Sequence, residues 1–298
     1  MSKRLLWLPP ILGLLAFAAL LWRIQVLSVE VDRLAHRPEA APPSRLPEGV
    51  PVSSDAPRAL LEPTQLAASG PNAAPGLERL RSRVESLEKE LHALRETGKA
   101  WEQAVEEMTE ARLRANQIAA IATSRNVISA LAQVQASAKI DEDSDGTGEY
   151  GGFLELSGAA EGRMLSVLNP PVLPGAFRLL SPAGEAQRSG YLFRIYLPDA
   201  RGQGVGEPAT GFPRGAVDPQ LAETTWCLYA WPVERGRTGL RTFFTNQGGD
   251  VLATDTASYS GSGAGPAPDA AFLERGTITG RIALDARGAD GNEWKQVN

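Results

Sequence analysis

The chain has 298 residues, with 30 Lys and Arg against 35 Asp and Glu, a formal net charge of -5. No basic block gathers enough cations to neutralise several phosphates, so nucleic acid is excluded as a partner. One cysteine and two histidines leave neither a disulfide nor a metal cluster of Cys and His spacing.

The first element is apolar. Lys3 and Arg4 precede an uncharged run, Leu5 to Trp22, closed by Arg23. As a helix it would span ~27 Å, just short of the ~30 Å hydrocarbon core of a bilayer. A signal peptide would be cut near Ala16-Phe17-Ala18, but Leu20, Leu21 and Trp22 continue the apolar run past that point. The segment 1–24 therefore reads as an uncleaved single-pass anchor in the cytoplasmic membrane. Its basic end is inside, so the rest of the chain would lie outside the cytoplasm. Residues 25–76 read as a Pro/Ala-rich linker. Nine of the 22 prolines fall between residues 36 and 76, without apolar periodicity. A short helix near Arg58–Ala68 interrupts this expectation.

From Leu77 to Met108 apolar residues recur at alternating steps of three and four: Leu77, Leu80, Val84, Leu87, Leu91, Leu94, then Gly98, Trp101, Val105 and Met108. This is a heptad seam, and residues 77–114 read as a coiled-coil stalk. With Leu77 at position a, Arg83 at g faces Glu88 at e of a parallel partner, and Glu90 faces Arg95. A parallel homodimer through residues 77–108 is one expectation. A single amphipathic helix packed on its own chain is the other. Past Met108 a second apolar face, Ile118, Ile121, Ile128, Leu131 and Val134, suits docking of a globular domain. The helix should stop near Lys139 or Ile140.

An acidic, glycine-rich turn follows, and then turn signals alternate with short apolar runs. Strands are expected at Tyr191–Leu197, Thr225–Trp231, Arg241–Thr245, Val251–Ala253 and Lys295–Val297, with NQGGD as a hairpin turn. The fold class is α+β, a long N-terminal helix leading into an antiparallel sheet, with the head at 115–298.

Few residues point to chemistry. Asp141, Asp143, Asp145 and Gly146 match the opening of a calcium loop, in which alternating carboxylates converge on a hard cation. The twelfth position of an EF-hand is Gly152 here, so Glu149 is the candidate closing ligand, with Glu155 as another. A solvated acidic turn without metal is the alternative. His36 and His92 lie outside the head, so no Ser-His-Asp or Cys-His arrangement is available there, and the chain does not read as an enzyme. Cys227 reads as a buried apolar residue. Trp226, Tyr229 and Trp231 read as a buried strand rather than a ligand platform.

Several strings carry a family resemblance. They are ANQIAAIATSRNVISALAQVQASAKIDEDSDGTGEYGGFLELSG, LNPPVLPGAF, RSGYLFRIYLPDA, the WCLYAWP to GLRTFFTNQGGDVL block, and DGNEWKQVN. Across residues 115–298 the chain resembles the prepilin-like, type II secretion G-like (pseudopilin-like) proteins of planctomycete type. The resemblance implies a pilin-like fold, an extracytoplasmic place, no catalysis, and components of a secretion or pilus-like assembly as partners. The front departs from that pattern. Gly13 is followed by Leu14, and Ala18 stands where the family has Glu, so the prepilin cleavage motif is missing. The leading expectation is a membrane-anchored structural or interaction protein. The second is an extracytoplasmic module that binds calcium, glycan or peptide through loops Arg201–Pro219 and Tyr259–Ala270.

Overall fold

The computed structural model describes residues 74–297. The expected anchor, nearly all of the linker and the short helix at Arg58–Ala68 lie outside the described residues. Among those described, no helix is long and apolar enough to cross a membrane.

The first element, α1, is one helix of 63 residues, Ala74–Ala136. At 1.5 Å per residue it is ~95 Å long. It ends a turn earlier than the sequence suggested. Ser137 and Ala138 donate back to the carbonyls of Gln133 and Gln135, and Ala138 then takes φ 47°, a left-handed value that stops the helix. No described side chain of α1 before Leu113 is buried. From Leu113 onward one face enters the core through Ala120, Val127, Leu131 and Val134.

The sheet has eight strands, all paired antiparallel: β1 (Ala186–Arg188), β2 (Tyr191–Pro198), β3 (Gly204–Gly206), β4 (Cys227–Pro232), β5 (Thr242–Asn246), β6 (Val251–Thr254), β7 (Ala286–Arg287) and β8 (Glu293–Gln296). Their order is β1-β2-β4-β5-β6-β8-β7, with β3 also on β2. The head is thus α+β. The four central strands are apolar on both faces because both are covered, which is why their sequences run apolar without alternation. Tyr191, Phe193, Ile195, Leu228, Ala230, Phe243 and Ala253 face α1. Leu192, Tyr196, Cys227, Tyr229, Trp231, Phe244 and Leu252 face the other way, against Phe272, Ile278, Ala283 and Trp294.

The second cover is mostly irregular chain. Hydrogen bonds from strand side chains hold it down: the Tyr196 and Tyr229 hydroxyls donate to the carbonyls of Pro266 and Pro268, and Trp231 Nε1 donates to Gly261. Loop Tyr259–Ala270, considered above as a ligand-binding loop, is thereby engaged as a lid over the sheet.

Two short helices position the turn that follows α1. They are α2 (Phe153–Leu156) and α3 (Pro219–Ala222), the latter capped by Asp218, whose Oδ1 accepts from Leu221 N at 2.9 Å.

Candidate functional site

The acidic turn at 141–147 sits where α1 hands the chain to the head. Asp141, Asp143 and Asp145 each offer a carboxylate oxygen, and these oxygens lie within 4.8 Å of one another. The spacing expected from the sequence is met for these three. Their carboxylates also serve the loop itself: Asp141 accepts from Asp145 N at 3.1 Å and Gly146 N at 3.2 Å, and Asp145 accepts from Thr147 N at 2.7 Å. Bonds of this kind form an Asx-type turn without any ion.

Glu149 does not join them, and the expected closing ligand is corrected on this point. Its side chain is fully buried, with Oε1 accepting from Glu142 N at 2.5 Å and Oε2 from Arg163 Nη1 at 2.8 Å. A residue eight positions after Asp141 could have reached the loop, but Arg163 supplies a buried cation that a buried carboxylate needs more. Glu155, the other candidate, is also turned inward. Its carboxylate meets Arg163 through Nε at 3.3 Å and Nη2 at 3.2 Å, and accepts from the backbone N of Gly152 and Arg163 at 2.7 Å each. A different acid stands near the turn. Glu223, following α3, is pushed up in pKa by desolvation and then by the charges of Asp145, Asp143 and Asp141.

Beneath the turn lies the cluster of titratable side chains that the sequence did not disclose. Arg163, Glu149, Glu155 and Glu207 are all buried. Glu207, just past β3, accepts from Phe153 N at 2.6 Å and Leu154 N at 2.9 Å. It caps α2 in place of Gly152, which has no side chain to do so. The glycine is required by the same contact: a Cβ on Gly152 would stand 2.6 Å from the Glu207 carboxyl carbon. Likewise a Cβ on Gly162 would stand 2.3 Å from Glu155 Oε1.

One guanidinium thus serves two carboxylates, and the third has backbone donors alone. Burial pushes the Glu207 carboxyl from its ordinary 4.5 up to about 8, against the two backbone bonds that favour its ionised form. Burial also raises Glu149, opposed by the Glu142 amide and by Arg163. Chemically the cluster is a closed polar clamp. It ties the segment leaving α1 (Glu149, Tyr150 carbonyl), α2 (Glu155), the loop after it (Arg163) and the β3 end (Glu207) into one knot.

The other feature of functional interest is the face of α1 that meets no other described residue. Leu80, Val84, Leu87, Leu91, Leu94, Trp101, Val105 and Met108 are each 41 % to 64 % exposed. Surface helices ordinarily turn such a stripe toward a partner. Trp226, Tyr229, Trp231 and Cys227 are buried, as expected of a core strand.

Residues 95–265 match the model of a family described as "Protein of unknown function (DUF2950)". No curated protein and no solved structure matches the chain.

Proposed function

This chain belongs to the DUF2950 family, and we propose that it is a membrane-anchored, extracytoplasmic structural or interaction protein with a pilin-like head. The observation that carries the reading is the continuity of α1, whose exposed first half runs without a break into the core of the head. A helix built this way is a spacer and a structural member at once. It carries the head at one end of a rod, and the apolar run at residues 5–22, joined to the other end through the linker, is a suitable membrane anchor. A long helix laid over one face of an antiparallel sheet is also the plan implied by the pseudopilin-like resemblance, which makes components of a secretion or pilus-like assembly the partners of this reading. The buried charged cluster supports a structural role too, since its carboxylates are spent on Arg163 and on backbone amides.

The test is topology. A C-terminally tagged full-length chain is expected in the membrane fraction, with its tag removed by protease added outside spheroplasts. Recovery of the chain in the cytosol, or a tag shielded until the membrane is lysed, overturns the reading.

A further inference from the structure

We propose that the exposed seam of α1, from Leu80 to Met108, is the docking face for a second copy of this chain, lying parallel and in register. The orientation rests on the anchored reading above; the choice of partner does not.

Two observations select another copy as the occupant. First, the seam keeps strict heptad phase over its whole length, and no described residue of the chain covers it. Partners that share this period can interlock knobs into holes along the full seam. Second, the flanking charges complement themselves. Two identical helices set side by side place Arg83 opposite Glu88 and Glu90 opposite Arg95, each pairing made twice.

The head marks where the pairing ends. Arg112, the next a position after Val105, donates to the Arg237 carbonyl at 3.3 Å, and Asn116 at the following e position donates to the Thr238 carbonyl at 2.9 Å. Both side chains belong to the head, and the two helices part there.

The charges alone also permit an antiparallel pair, with Glu88 against Arg95 and Arg81 against Glu102. Two chains anchored in one leaflet favour the parallel pair, and the crosslinks below tell the two apart.

Single cysteines placed by Leu80→Cys, Val105→Cys and Glu96→Cys in the full-length chain, oxidised in its own membranes, test the proposal. The native Cys227 is fully buried, so the unmodified chain serves as the blank. Expected are bands at twice the monomer mass for L80C and V105C, and none for E96C on the far side of the helix. A band only when L80C and V105C chains are mixed means an antiparallel pair and overturns the parallel arrangement. Monomer at both seam positions, or dimer at E96C as readily as at L80C, overturns the docking face. These outcomes are independent of the protease test, so a failure of the membrane reading is told apart from a failure of the pairing.

Discussion

Replacing Arg163 with methionine keeps an unbranched chain of similar reach and removes the guanidinium from the buried cluster. Four contacts go with it: Nη1 to Glu149 at 2.8 Å, Nη2 to Glu155 at 3.2 Å, Nε to Glu155 at 3.3 Å, and Nη2 to the Tyr150 carbonyl at 2.5 Å. Both carboxylates remain at 0 % exposure with no cation. Removing one partner of a buried pair costs about 3–5 kcal/mol. The two pairs share one guanidinium, so the costs do not add. For a domain of 150–250 residues each kcal/mol moves the melting temperature by about 2–4 °C, which gives a loss of roughly 6–20 °C. Burial already raises the Glu149 carboxyl above its ordinary value, and R163M removes a charge that opposes this. Stability is then retained at low pH, where both states hold the proton, and lost as pH rises. The deficit of R163M is therefore smaller at pH 5 than at pH 8. Tryptophan fluorescence reads the unfolding of the head, because Trp226, Trp231 and Trp294 are buried there. A melting temperature within about 2 °C of the unmodified chain at both pH values refutes the reasoning, since it would mean a cost below ~1 kcal/mol.

Three further outcomes are expected. Glu207→Gln should flatten the fall in stability between pH 4.5 and about 8, because the folded-state pKa of Glu207 lies above its ordinary 4.5 and its stabilising contribution is lost as pH climbs through that window; thermal melts over pH 4 to 9 check this, and an unchanged slope counts against it. Gly152→Ala should cost about 1–3 kcal/mol in chemical denaturation, the usual penalty of forcing a methyl into a packed site, since its Cβ would meet the Glu207 carboxyl at 2.6 Å; an unaffected midpoint would show that Glu207 can move aside. Calorimetry with calcium should give no constant tighter than about 10⁻³ M, the weak end of the range for such loops, because Glu149 is withdrawn from the three aspartates; a micromolar constant would overturn the placing of Glu149.

The sequence revealed what is periodic or locally dense. Strands β2, β4, β5 and β6 stood out because aromatic and other apolar residues fill both faces, and the turn after β5 because Gly248 and Gly249 follow a run of them; β3, a Gly-Val-Gly segment, did not. The seam of α1 was legible from spacing alone. Glu149 was misread because the pattern that suggested it is local, whereas its partner Arg163 lies 14 residues away across two turns. No periodicity marks such a pair. The available hint was the pair Gly151 and Gly152, residues kept small by close neighbours: Cβ atoms there would meet Ile140 and Glu207 at 2.6 Å. The second cover of the sheet was invisible for a different reason. Its apolar residues are scattered singly along irregular chain, and proline carbonyls receiving tyrosine hydroxyls hold it in place.

One rod carries both the seam and the head's docking stripe, so the angle between them is set by how many residues separate the two. Seven residues added within the stalk would lift the head by ~10 Å and rotate it by only ~20° about the seam, since seven residues nearly close two turns. A single added residue would raise it by just ~1.5 Å but swing it through ~100°. Stalk length can therefore drift by whole heptads while the head keeps its bearing. An insertion out of that step re-aims the head without altering a single contact inside it.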